Sequence, residues 1–282
     1  MTTENKFGKV SRLELRSEYK DGKTILKDVY FTAPYKVMTP FKKDGGGISV
    51  MPLCASAGIM SGDKQEFKYR IGEGTNVELL SQSFEKIHRM EDAGSAERHT
   101  DVIIEKNATF YYYPQPVIPF AESAFDSTMD IRLEDESSNL FMLEIITCGR
   151  ATRGEEFEYR RFSSKVEIRR AEALIYRDNT RFEPAVMDMA GFGMYEDYTH
   201  VANIFMTAPD TEWRRELQSQ IWEVLERAEE GLSMRADESV PMSVEGGVTE
   251  LAYGDLAVRI FGKRAQELQK IANQIKALYE KK

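Results

Sequence analysis

Four short clusters carry the side chains best suited to chemistry in this sequence. The first, Ser56-Ala57-Gly58-Ile59-Met60-Ser61-Gly62-Asp63, sets a carboxylate after two glycines and two hydroxyls. It reads either as a tight turn in which Asp63 bonds its own backbone or as an open site. The second, Ser81-Gln82-Ser83-Phe84-Glu85-Lys86-Ile87-His88, is polar and strand-like. The third, Tyr113-Pro114-Gln115-Pro116-Val117-Ile118-Pro119-Phe120, holds three prolines that lack N–H donors, so it is expected at an edge, a crossover or a docking surface. The fourth runs from Glu144-Ile145-Ile146-Thr147-Cys148-Gly149-Arg150 through Arg153-Gly154-Glu155-Glu156-Phe157. A carboxylate such as Glu144 inside an apolar strand is costly unless paired, and Arg150 is its expected partner.

Familiar catalytic signatures are missing. The chain has no GxSxG elbow, no GxxxxGK(S/T) phosphate loop, no GxGxxG after a strand and no HExxH. Its histidines, His88, His99 and His200, are too scattered to define a metal centre by spacing. Cys54 and Cys148 give neither a disulfide framework nor a CxxC motif, which fits a reducing, cytoplasmic address.

The elements that must position these clusters follow from periodicity. Leu13, Leu15 and Tyr19 alternate with charges, as do Met129, Ile131 and Leu133, Phe157 and Tyr159, and Val166 and Ile168. Leu140–Ile146 is apolar apart from Glu144, so it is predicted to be a strand buried on both faces. Asp21-Gly22, Asp44-Gly45-Gly46-Gly47, Gly72-Glu73-Gly74, Lys106-Asn107 and Asp178-Asn179 read as turns. Residues 8–208 therefore form a β-rich body. Residues 209–282 change character. Trp213, Leu217, Ile221, Val224, Leu225 and Ala228 make one helical stripe, capped by Asp210 and closed by Gly231. A polar stretch, Ser233–Glu238, precedes a strand around Leu251–Phe261. Ala265, Leu268, Ala272, Ile275 and Tyr279 make a second helical stripe. The prediction is a mainly β fold, one domain over 1–282, with two helices in its C-terminal third.

Composition excludes several partners. The 282 residues carry 47 Asp+Glu against 38 Lys+Arg, a net charge of −9, which disfavours nucleic acid and anionic membranes. Residues 1–10 lack the apolar core of a signal peptide, and no apolar run approaches the roughly 20 residues of a bilayer span.

The four clusters, in this order and continuing through Tyr198-Thr199-His200, resemble the urease accessory proteins of the D type, called H in some bacteria, over roughly residues 8–206. The resemblance implies a non-enzymatic maturation factor with a helical winding of strands. It implies binding to apo-urease and to the F-type accessory protein, which recruits the G-type nickel-carrying GTPase, and an internal passage for Ni²⁺ in transit. A relay must bind weakly at several points, so carboxylates suit it and a His/Cys cage, which would trap nickel, does not. On that basis Asp63, Glu144 and Glu155 are expected to line the passage, with Cys148 and His88 as secondary ligands. Two other readings stay open. One is a pure assembly scaffold that never contacts nickel. The other is a β-rich carbohydrate-active protein using Tyr111, Tyr112 and Tyr113 for stacking and Asp63 with Glu155 as a carboxylate pair. Docking is expected at Pro114–Phe120 and from Trp213 on.

Overall fold

Asp21 and Gly22 both take left-handed conformations (φ 52° and 77°), and this two-residue loop folds Val10–Lys20 back on Lys23–Phe31 as an antiparallel hairpin. From that start, the computed structural model describes residues 10–91, 93–230 and 244–281. The chain then winds. It lays Lys64–Ile71 in one sheet and Asn76–Leu80 in a second, and repeats the step with Ala96–Ile104 and Thr109–Tyr113. A third pass adds Ala124–Leu133 and Asn139–Thr147, and Arg161–Arg170 follows in the first sheet. Each parallel neighbour is thus reached through a strand of the opposite sheet, in place of the helix that usually supplies a parallel crossover. The strands stay aligned, so Phe67, Thr100, Met129 and Val166 form one row across four of them.

The result is a seven-stranded sheet with antiparallel edges, Lys23–Phe31 and Ala173–Phe182, stacked on a ten-stranded mixed sheet. The expected mainly β, wound architecture is present. Between the sheets lies one core, with Leu13, Phe67, Tyr69, Val102, Ile104, Ile131, Leu140 and Met142. The other face of the ten-stranded sheet packs against helices α1 (Thr211–Glu229) and α2 (Ala265–Tyr279) through Phe141, Leu143, Ile145, Leu217, Ile221, Leu268 and Ile275. Asn139–Thr147 is therefore buried on both faces, as its continuous apolar run predicts. Both helical stripes face this core.

Asp210 caps α1: its Oδ1 accepts from the Trp213 N–H at 2.7 Å. Asp210→Ala is expected to cost about 1 kcal/mol in urea unfolding. An unchanged midpoint would show that the cap adds nothing. Gly231 and Ser233–Glu238 lie outside the described residues. The strand expected around Leu251–Phe261 is two strands, Val244–Glu250 and Leu256–Gly262, joined at a turn through Leu251 and Asp255, and both extend the ten-stranded sheet.

Three other expectations are corrected. Asp178-Asn179 is no turn but sits within the strand Ala173–Phe182. Asp178 there accepts from Thr180 and from Arg259, so cross-strand and local partners outweigh its turn preference. Phe157 and Tyr159 are not in a strand. Phe157 is left-handed (φ 56°), and both rings fill a third core with Tyr195. The proline segment is not an edge: Val117–Pro119 pairs in parallel with Glu85–Ile87 and meets Ile146 of Asn139–Thr147. Prolines fit because the Pro116 carbonyl accepts from the Glu85 N–H, while Phe120 supplies a donor, to Ile87.

Candidate functional site

Parity within the strands selects the polar residues that point between the sheets. Gln65 shares its face with Phe67, Tyr69 and Ile71; Arg98 with Ala96, Thr100, Val102 and Ile104. Ser164 shares its face with Phe162, Val166 and Ile168, and Glu144 with Leu140, Met142 and Ile146. Four larger polar groups thus interrupt largely apolar inward faces. Each break in the pattern is costly to fold unless its hydrogen bonds are met.

Gln65 and Arg98 meet theirs with each other, as do Glu144 and Ser164, around two spaces that share part of their lining. The outer space is a cleft of about 530 Å³ bounded by Ser56–Met60, Asp63, Cys54 and the segment 81–86. Its floor is formed by Gln65, Glu85, Arg98, Tyr112, Pro114 and Gln115. The inner space is a cavity of about 40 Å³ between the sheets, lined by Glu144, Ser164, Ser127, Met129, Met142 and Phe162. Glu85, Arg98, Tyr112, Pro114 and Gln115 belong to the walls of both. These five residues form a wall common to the two spaces.

In that wall Arg98 grips Glu85 with both arms of its guanidinium, Nη1 to Oε2 at 2.8 Å and Nη2 to Oε1 at 2.5 Å. The same group donates from Nε and Nη2 to Gln65 Oε1 at 2.8 and 2.6 Å. Its plane lies against Phe67 and Phe125, at 5.0 and 5.5 Å from the ring centroids. Burial works against the charge of Arg98, but Glu85 outweighs it and keeps the guanidinium protonated.

Beyond that wall, Glu144 Oε1 accepts from the Ser164 hydroxyl at 2.8 Å. Burial pushes this carboxyl up to about 7, against the lowering effect of the Ser164 bond. The nearby Asp178 carboxylate adds to the rise. Glu144 stands opposite Asn203 in the ladder. Asn203 Oδ1 accepts from Arg259 Nε at 2.8 Å, and Arg259 reaches Asp178 at 3.0 Å near the surface.

Of the five residues singled out from sequence, two line these spaces. Asp63 borders the cleft, where its Oδ2 accepts from the Met60 N–H at 2.8 Å and closes the Ser56–Asp63 turn. Glu144 lines the inner cavity. Glu155 does not. Arg150, expected on Glu144, instead holds Glu155 through a two-armed pair, with Nε to Oε2 at 2.7 Å, and keeps that carboxyl below its ordinary range. The reason is local. The turn Ala151–Arg153 and the left-handed Gly154 bring Arg150 and Glu155 together, whereas Glu144 points between the sheets. Cys148 is buried with its thiol pushed up to about 12 by desolvation, so it stays protonated rather than offering a thiolate. His88 is committed to the cleft rim, with Nε2 at 3.0 Å from the Ala57 carbonyl and its ring against Phe120. Neither Cys148 nor His88 lines the two spaces.

The aromatic and docking expectations also change. Tyr111 and Tyr113 are buried in the helix-facing core, and Tyr112 lies between the sheets with its exposed part on the cleft floor, so the three form no common stacking face. Asp63 and Glu155 occupy separate networks and form no carboxylate pair. None of Pro114–Phe120 is exposed, and Trp213 packs on Tyr279, which leaves Trp222 as the exposed aromatic of α1.

Sequence reasoning included Glu85 in the second cluster without assigning it a partner, and passed over Arg98. The signal was an arginine at inward parity in Ala96–Ile104. It also missed an exposed group on the outer face of the seven-stranded sheet, where ligand atoms of His99, Asp101 and Asp130 lie within 4.8 Å of one another. There Asp101 and Asp130 are register partners, and His99 contacts Thr128 and Asp101. Among the described residues no helix is long and apolar enough to cross a membrane.

Comparison with known proteins gives a consistent match. The family model described as UreD urease accessory protein fits residues 9–282. The urease accessory protein UreD of Acetivibrio thermocellus is 40% identical over 201 residues, covering 71% of this chain and 76% of that protein. UreH of Helicobacter pylori strain G27 is 33% identical over 275 residues, 97% of this chain and 96% of that protein. UreD of Actinobacillus pleuropneumoniae is 28% identical over 257 residues, 90% and 91% of the two chains.

Proposed function

The chain belongs to the UreD family of urease accessory proteins, and from that premise we propose that it is a non-enzymatic maturation factor that conducts Ni²⁺ toward apo-urease. In this reading it works in the cytoplasm, bound to apo-urease and to the F-type accessory protein, with the G-type GTPase as the nickel source. Nickel is cargo here and not a resident cofactor. The observation that supports the reading is the wall shared by cleft and inner cavity, with Asp63 lining the one and Glu144 the other.

The chemistry of the route suits transit. Its donors are mainly carboxylates, hydroxyls and amide oxygens, which hold a divalent ion weakly; burial raises the Cys54 thiol at the cleft above its ordinary range, and the protonated Cys148 thiol is off the path. Glu144 supplies the innermost charge. With its carboxyl near 7, it accepts an ion by releasing a proton and takes the proton back when the ion leaves. The Ser164 hydroxyl fixes which oxygen faces the cavity.

The test is urease activation by Glu144→Gln, which keeps size and hydrogen bonding but removes the charge. At limiting nickel, activation is expected to fall about tenfold, the equivalent of one lost charge-assisted contact. Co-purification with apo-urease and the F-type protein stays unchanged. Full nickel loading by the variant, with normal complexes, would sink the conduit and leave the protein a scaffold.

A further inference from the structure

The wall shared by cleft and cavity holds one of each charge. Arg98 is nearly enclosed, with a side chain 10% exposed, and Glu85 is 27% exposed toward the cleft. They come from opposite sheets: Arg98 from the nine-residue strand Ala96–Ile104, Glu85 from the three-residue strand Glu85–Ile87 at the end of the irregular segment 81–84. Arg98 is fixed by Gln65 and by the rings of Phe67 and Phe125. Glu85 has Arg98 as its sole side-chain partner among the described hydrogen bonds and ion pairs. One half of the pair is anchored, and the other is held by the pair itself.

The inner cavity sharpens the consequence. One water needs only about 10–15 Å³ of such space, so a cavity of about 40 Å³ admits a few waters or an ion that has shed part of its hydration. A cation in this partly enclosed space, where water screens less than in bulk, feels nearby charges strongly, and a fixed guanidinium repels it. We propose that the Arg98–Glu85 ion pair is a charge gate between cleft and inner cavity, through which a divalent cation passes only by exchanging places with Arg98 as the partner of Glu85. Arg98 is the barrier and sets selectivity against casual cations; Glu85 is the carrier arm. The proposal rests on the conduit reading.

Its test follows a divalent cation to the inner cavity without urease. In full-length protein carrying Cys54→Ser and Ser164→Cys, mercuric ion is mixed with the protein and mercaptide absorbance is followed. Protein with Ser164 retained provides the background from Cys148. The gate predicts opposite effects. Arg98→Gln leaves the Glu85 carboxylate facing the route, and reaction at position 164 rises about tenfold or more. Glu85→Gln leaves the Arg98 charge unmatched, and reaction falls about tenfold or more.

A pair that merely latches the sheets together would behave differently, since either substitution would loosen it and speed both reactions. Acceleration in both variants, or equal rates in all, overturns the gate while leaving the route open. No reaction at position 164 in any variant overturns the conduit and the gate together. If Arg98→Gln fails to fold, as judged by circular dichroism, Glu85→Gln decides alone. A slower reaction then supports the gate, and an equal or faster one overturns it.

Discussion

Asp255→Ala is expected to destabilise the protein by about 3–5 kcal/mol, because it strands a buried guanidinium. Asp255 is fully buried in the turn that precedes Leu256–Gly262, and Arg170 ends the strand Arg161–Arg170 of the other sheet. Arg170 Nη2 donates to Asp255 Oδ1 at 2.7 Å, and the same oxygen accepts from the Ala208 N–H at 3.2 Å. The pair therefore ties the sheets at one end. Removing one partner leaves the other without solvent or counter-charge, which costs far more than a surface ion pair returns. Asp255 Oδ2 and Arg170 Nε find no hydrogen-bond partner among the described residues, so the pair is under-satisfied as it stands. The double variant Arg170→Met/Asp255→Leu is accordingly expected to recover most of the loss. Urea unfolding measures both. A loss below about 1 kcal/mol for Asp255→Ala would mean that water reaches the pair.

Glu144→Gln acts in the opposite direction, and its effect depends on pH. The folded-state carboxyl is lifted from 4.5 to about 7, chiefly by burial. Between those values the folded protein keeps a proton that the unfolded chain has released, so stability falls as pH rises through that window. Above it the full cost of a buried charge applies, about 3 kcal/mol by the conversion between proton affinity and free energy. Glutamine carries no such charge. The variant is expected to gain about 2–3 kcal/mol at pH 8 and nothing at pH 4. Urea unfolding at the two values decides it; an equal difference at both would assign the effect to packing. Gained stability together with lost nickel delivery in the variant is the result expected of a group that costs stability and supplies function.

The elements were largely legible because their signals are short in range. Leu13 and Leu15, Met129 to Leu133 and Val166 to Ile168 alternate, and all lie in strands of the seven-stranded sheet. Asp210 and the stripe from Trp213 to Ala228 mark α1 because capping and amphipathic spacing act within a few turns. The failures were also local in origin. Asp178-Asn179 and the prolines of 114–119 have strong turn or breaker preferences, and neighbouring strands overrode them with ladder bonds.

The site was legible in part. Asp63 and Glu144 stood out as carboxylates in unusual settings, one after Gly62 and the other inside an apolar strand. Pairing was less visible. Glu144 and Arg150 are six residues apart, yet Ser164 and Glu155 took the two partners, because strand parity turns Glu144 inward while a turn folds Arg150 onto Glu155. Arg98 and Glu85, thirteen residues apart and in different sheets, are joined only by the winding.

By itself, then, the sequence determined a strand-rich body, two C-terminal helices, a family and a supply of carboxylates without a His/Cys cage. These follow from residue type and spacing of a few positions, where propensity, period and capping operate. The tertiary structure alone decided which polar groups share an interior. Winding places Gln65, Glu85, Arg98, Glu144 and Ser164, contributed by five strands, around one wall and one cavity. No local rule carries that information, because it depends on register between strands tens of residues apart and on the stacking of two sheets.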